Sequence, residues 1–339
     1  MFEGSGILII MKYRKLGTSE IKVSVLSLGT WQLADSGYWG RSTRGAEAVR
    51  AAIDAGINLF DSAEVYAGGK SEKALGQALG SSRDKVLIAT KISSENCAPK
   101  KLRTACERSL RRLGTDRIDI YQVHWPSRKV PFSDTFEELI KLKEEGKIRE
   151  IGLSNFGRKD LGSWMSGGTA VSNQLGYNLL FRAIEYEIVS ACIEYGLGIL
   201  AYMPLMQGIL VGKWKSADKI PSSRRRTRHF SSERKGTRHG EDGKEDLTFE
   251  TLQQLVEVAD EIGRPLATMA LAWVLARPWI TSVVVGGRKP EQIERNLAAA
   301  ELELAPEIIE RLDTITKPLK ESLGANADMW EGEVDSRIR

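Results

Sequence analysis

Eight short apolar runs punctuate the chain, and each ends on a polar residue or a glycine. They are VLSLG (to Gly29), INLFD (Asp61), VLIATK (Lys91), IDIYQVH (His124), IREIGLSN (Asn155), VSNQ (Gln174), GILAY (Tyr202) and SVVVGG (Gly286 and Gly287). Stretches with helical spacing lie between most of them. Ala46, Val49, Ala52 and Ile53 share one face of a helix expected over 44–55, and Gly56 stops it. Helices are likewise expected over 71–79, 100–113 (after Pro99 and before Gly114), 133–145 and 185–195. Strands alternating with helices predict a parallel (β/α)8 TIM barrel, whose functional groups gather at the C-terminal ends of the strands.

Around this repeat sit three irregular parts. Alternating runs in 12–23, either side of Leu16-Gly17-Thr18, read as an N-terminal β-hairpin. Residues 203–246 form a long glycine- and arginine-rich connection, and such connections are usually functional lids or mobile segments. Extra surface helices are expected over 248–262, 268–276 and 306–315, flanking the last strand and its own helix at 290–300. The domain reading is a single barrel over 12–317, a flexible leader over 1–11, and a polar, poorly packed tail over 318–339.

Composition narrows the class. The chain has 339 residues and is 42% hydrophobic, enough for one large barrel core. A net charge of +4 gives no general attraction to nucleic acid or membrane, and no segment approaches the ~20 apolar residues of a bilayer span. Cys97, Cys106 and Cys192 lack zinc-ligand or CxxC spacing, so no metal is expected and a reducing cytoplasm suits them.

The strand ends carry candidate chemistry. Asp61, Tyr66, Lys91 and His124 come from three successive strand ends and one following loop, which adjoin one another on a barrel rim. A tyrosine with an ordinary pKa of ~10 is a poor acid at neutral pH, and a buried lysine beside it is expected to lower that value. A carboxylate would keep the lysine charged and aimed, and a histidine opposite could bind a carbonyl oxygen. Composition and spacing alone lead to a barrel enzyme with a general acid.

Longer motifs go further. GINLFDSAEVYAGGKSEKALGQAL, LGTDRIDIYQVHWP and VVVGGRKPEQIERN resemble, in order and spacing, three signatures of the aldo-keto reductase family, from about Tyr13 to Thr316. AYMPLMQGILVGKW and the RHFSS stretch are similar to bacterial members of the subgroup that includes potassium-channel β subunits. The resemblance implies NADPH-dependent reduction of an aldehyde, ketone or aldose, with Tyr66 as proton donor, Lys91 and Asp61 assisting it, and His124 orienting the substrate. An NAD(P)-dependent sugar dehydrogenase and a cofactor-binding regulatory subunit are the alternatives.

A Rossmann fingerprint and a P-loop are both absent from the sequence. The resemblance implies instead a nicotinamide dinucleotide extended across the strand ends. Ser154, Asn155 and Gln174 would then hold its carboxamide, Tyr202 would stack on its ring, and Gly29, Thr30 and Gly286 would border it. Pro204, Leu205, Gln207 and Gly208 would approach the pyrophosphate, with Met203 where many relatives have serine. Arg288, before a helix that opens at Pro290, suits a 2′-phosphate and favours NADPH over NAD(H). Gln292 and Asn296 share a helix face and could meet the adenine.

Trp31 and Trp125 are the expected walls for a small carbonyl substrate, with Trp279 and Met206 as lesser candidates. The run from Arg224 to Arg228 reads as a loop over the cofactor rather than a nucleic-acid surface, because acidic residues nearby offset its charge. A monomer and a homo-oligomer both fit the sequence.

Overall fold

The computed structural model describes residues 11–34 and 42–339, so the expected leader lies, Met11 apart, outside the described residues. Strands β1 (Tyr13–Lys15) and β2 (Lys22–Ser24) pair antiparallel as the expected hairpin. Eight parallel strands follow: β3 (Leu26–Gly29), β4 (Leu59–Asp61), β5 (Leu87–Ile92), β6 (Ile118–Val123), β7 (Ile148–Ser154), β8 (Ser172–Gly176), β9 (Gly198–Tyr202) and β10 (Ile280–Gly286). Neighbours pair in sequence order and β10 closes on β3, completing a (β/α)8 TIM barrel.

The hairpin belongs to the core. Leu16, Ile21 and Val23 pack with Leu59, Ala89, Ile120, Val171 and Leu200 from inside the barrel. Gly17 allows this close approach: its φ is +53°, and a Cβ there would lie 2.2 Å from the Val171 carbonyl oxygen. Leu16 and Val23 are fully buried, which stabilises the plug by about 1.5–3 kcal/mol per side chain.

The helices coat the barrel: α1 (Gly45–Asp54), α2 (Lys70–Leu79), α3 (Pro99–Leu113), α4 (Phe132–Glu144), α5 (Arg158–Met165), α6 (Ile188–Glu194), α7 (Glu245–Glu261), α8 (Leu266–Leu275), α9 (Pro290–Glu301) and α10 (Pro306–Leu323). In α3, Pro99 opens the first turn, and Gly114, in the left-handed region, caps the end by donating to the Leu110 carbonyl. Glu245 and Asp246 extend α7 three residues upstream of its expected start, where carboxylates favour the helix dipole. No sequence signal announced α5, a short helix that contains Gly162, although Leu161 and Trp164 bury its inner face. Among the described residues, no helix is long and apolar enough to cross a membrane.

One expectation needs correction. The tail is packed, not loose. Helix α10 runs through Pro318 because Thr316, Leu319 and Leu323 on its inner face are buried, and that burial outweighs the lost backbone donor. Beyond it, Asp328 and Met329 are fully buried, Arg337 binds the Asp328 carboxylate with two nitrogens, and the Arg339 amide donates to Asp160. The basic connection, whose order the sequence left open, is structured. Arg228 pairs with Glu241, Arg234 with Asp218 and Glu245, and Arg238 with Glu331, while His229 is buried against the Leu180 carbonyl.

Candidate active site

A cavity of about 700 Å³ opens at the C-terminal ends of the strands. Its floor is a buried ion pair. Lys91, at the end of β5, is wholly buried and donates to Asp61 Oδ2 of β4 at 2.6 Å, to the Ser62 carbonyl at 2.7 Å and to the Tyr66 hydroxyl at 3.3 Å. The other Asp61 oxygen accepts from Gln122 at 3.1 Å and Gln174 at 2.8 Å. The carboxylate therefore has neutral donors on one side and its cation on the other.

Burial is the largest influence on Lys91 and favours the neutral amine. Asp61 and Tyr66 together outweigh it and raise the pKa, so the ammonium persists. For Tyr66 the expected lowering is corrected: burial pushes the phenol above 10.0, Lys91 opposes the rise and Asp61 adds to it. The phenol therefore stays protonated at neutral pH, the form a proton donor needs. His124 stands edge-on to the Tyr66 ring at 5.7 Å. Burial first, then the cations Lys91 and Arg337, hold it well below 6.5 and keep it neutral.

Three indoles surround this floor. Trp31 stacks on Tyr66 at 5.6 Å, and Trp125 and Trp330 meet edge to face at 6.1 Å. Arg337 lies over Trp125 at 3.7 Å, so the packed tail fixes this wall. Trp330 also lies parallel to Tyr202 at 6.3 Å. It was missed because it sits in a polar tail; a lone tryptophan among acidic residues was the available signal. Trp279 packs on Tyr177 and Met206 is buried, and neither lines the cavity.

From this floor the cavity continues past Ser154, Asn155, Gln174 and Tyr202, then Pro204, Leu205, Gln207 and Gly208, to Gly286, Arg288, Gln292 and Asn296. Gly29 also borders it. Thr30 is a correction: its hydroxyl lies fully buried behind the site, donating to the Asp61 carbonyl and meeting Ser71. Gln174 lines the cavity, but its amide nitrogen is held by Asp61. Tyr202 donates to the Asn155 side-chain oxygen at 2.8 Å, and the Asn155 amide donates to the His124 carbonyl at 3.0 Å.

Backbone strain collects here. The non-glycine residues with positive φ among the described residues are Ala67, Asn155, Met203, Met206 and Gln207, all at or beside this cavity. At the far end, the Gln292 side-chain oxygen accepts from the Arg288 amide and Asn296 donates to the Gly286 carbonyl, which fixes the turn into α9. Arg224, from the run expected over the cofactor, joins Arg288 as a cation lining this end, as do Lys213 and Arg295, which were missed from sequence. Burial first, and then Arg288, lower the Arg224 pKa, so an anion between the two guanidiniums would relieve their repulsion. The donor set fits a dinucleotide: cations at one end, amides and a flat tyrosine in the middle, and a protonated tyrosine beside a buried ammonium at the other.

The sequence profile of the Aldo/keto reductase family matches residues 25–317. A Schizosaccharomyces pombe protein that bears the name of a voltage-gated potassium channel subunit beta is 32% identical, over 89% of this chain and 92% of its own. An Escherichia coli protein named an NADH-specific methylglyoxal reductase is 30% identical, over 87% of this chain and 95% of its own. The crystal structure of an aldo-keto reductase from Klebsiella pneumoniae in complex with NADPH superposes with a TM-score of 0.71 at 28% identity, covering 91% of this chain and 95% of that one. With its barrel, its strand-end site and these relatives, the chain belongs to the aldo/keto reductase family and is an NAD(P)H-dependent oxidoreductase.

Proposed function

We propose that the protein reduces an aldehyde or ketone, aldoses included, to the alcohol, with NADPH as the preferred donor. One observation carries the reading: the Tyr66 hydroxyl lies 3.3 Å from a buried ammonium, itself held by Asp61, on the floor of a dinucleotide-sized cavity. The bound dinucleotide supplies the hydride. Tyr66 gives its proton to the carbonyl oxygen, and Lys91 stabilises the phenolate left behind. His124, kept neutral, orients that oxygen by donating a hydrogen bond. Trp31, Trp125 and Trp330 exclude water and favour an apolar or ring-bearing substrate.

Arg288 takes the 2′-phosphate, and Lys213 with Arg224 of the basic connection takes the pyrophosphate. NADPH in the Klebsiella relative supports this preference, whereas the NADH-specific relative keeps NADH as the comparison to make. The test is NADPH oxidation against a panel of aldehydes, ketones and aldoses, with Tyr66→Phe alongside. Turnover by the wild type that falls at least about 100-fold in the variant supports the reading. Turnover that survives the substitution would remove Tyr66 as proton donor.

A further inference from the structure

Tyr66 sits on a loop with almost no apolar anchor. Between Glu64 and Lys70 only Glu64 and Gly69 are buried, while Val65 is 49% exposed. The backbone after Tyr66 is left-handed for three residues in a row, Ala67 (φ 50°), Gly68 (φ 64°) and Gly69 (φ 88°). The Glu64 amide donates to the Lys91 carbonyl at 3.1 Å and Trp31 stacks on the ring, but a segment in this strained conformation needs further contacts to keep its tyrosine within reach of Lys91.

Two arginines one turn apart on α3 touch the two buried residues of that loop. Arg112 passes beneath Gly69 so closely that a Cβ there would sit 2.2 Å from the guanidinium carbon. Its Nη1 donates to the Glu64 carbonyl at 3.4 Å and to the Glu72 carboxylate at 3.2 Å. Glu72 is fully buried, and its other oxygen accepts from the Thr90 hydroxyl at 2.7 Å, one residue before Lys91. Arg108 binds the Glu64 carboxylate at 2.9 Å, and that carboxylate also accepts from the Ser93 amide at 2.8 Å and Asn96 at 2.9 Å, just after β5.

We infer that Arg112 is a positioning residue. Through Glu64 and Glu72 it clamps the loop of Tyr66 to the strand of Lys91 and so sets the distance between the phenol and the ammonium, without touching substrate or cofactor. The inference rests on the proposed role of Tyr66, because only a proton donor needs that distance held. A displacement of about 1 Å at a reacting group costs up to roughly 100-fold in rate.

The single Arg112→Met change strands a buried carboxylate and can fail to fold. The test therefore pairs it as Arg112→Met with Glu72→Gln, which leaves a neutral amide on Thr90, and adds Arg112→Lys as the conservative variant. Both are read by kcat, substrate KM and NADPH dissociation constant, and by the NMR signal of ring-labelled Tyr66, assigned through its loss in Tyr66→Phe. The paired variant is expected to lose about 10- to 100-fold in kcat, with KM and NADPH affinity within about twofold, and to shift the Tyr66 signal. Arg112→Lys, which keeps a donor, recovers part of both. A folded paired variant whose Tyr66 signal matches the wild type would overturn the inference, as would a loss confined to KM or NADPH affinity. The NMR readout needs no turnover. An inactive wild type would therefore count against the proton-donor role of Tyr66, while the spectrum still decides the clamp.

Discussion

Replacing Lys91 by methionine separates the structural and chemical roles of the buried pair. Lys91 is wholly buried, its Asp61 partner is 4% exposed, and they meet at 2.6 Å. Removing one member of such a pair strands a charge, at a cost of about 3–5 kcal/mol. Gln122 and Gln174 still donate to Asp61, so the lower end, about 3 kcal/mol, is expected. Neutralising the partner as well, with Asp61→Asn, should restore about half of that loss.

Catalysis should fall for a different reason. At 3.3 Å and an effective dielectric constant of ~20, the ammonium stabilises a full phenolate by about 5 kcal/mol. A transition state bearing about half that charge loses roughly 2–3 kcal/mol, or about 30- to 150-fold in kcat. Urea unfolding followed by tryptophan fluorescence measures the first effect, and kcat at saturating NADPH the second. The double variant should regain stability but not activity. A single substitution costing under about 1 kcal/mol, or leaving kcat within about threefold, would refute the argument.

Arg288→Ala should weaken NADPH binding by roughly 10- to 100-fold and leave NADH nearly unchanged, as fluorescence titration would show; equal losses would remove the 2′-phosphate contact. Trp330→Ala should raise KM for aromatic aldehydes about 2- to 10-fold and alter NADPH affinity less, and an unchanged KM would take the tail out of the substrate wall. His229 is held at about 4, below its ordinary 6.5, by burial first, with Arg228 and His239 adding to the Leu180-opposed shift. Its folded pKa lies below the unfolded one, so its contribution is complete above pH 6.5 and drains away as pH falls toward 4, about 3 kcal/mol in all. His229→Gln should flatten that acid slope in denaturant midpoints measured from pH 7 to 4.5, and a parallel slope would contradict it.

The strand ends were legible because a parallel barrel makes each strand an apolar run that stops where the site begins. Asp61, Lys91, His124, Asn155, Gln174 and Tyr202 are all found this way, and Tyr66 follows from its motif. Thr30 shows the limit of that rule. It stands next to Gly29 at the end of β3, yet its hydroxyl turns back to the Asp61 carbonyl, a choice made by tertiary hydrogen bonds. Lys213 and Trp330 were illegible for another reason, since long irregular segments carry them to the cavity and no periodicity reports where such segments land. Pro318 misled in a third way: a local stop signal was overridden by burial on both sides of it. The arginines of α3 look like the solvated face of a charged helix until Arg108 and Arg112 are seen to reach Glu64, on the loop that carries Tyr66.

The most direct test of the account follows the hydride itself. The protein would be incubated with NADPH carrying deuterium at both C4 positions and with an aromatic aldehyde, and the alcohol analysed by mass spectrometry. One deuterium on the former carbonyl carbon, formed by the wild type and not by Tyr66→Phe, is the predicted result. Alcohol formed without deuterium, or no alcohol from any carbonyl while NADPH remains tightly bound, would contradict it.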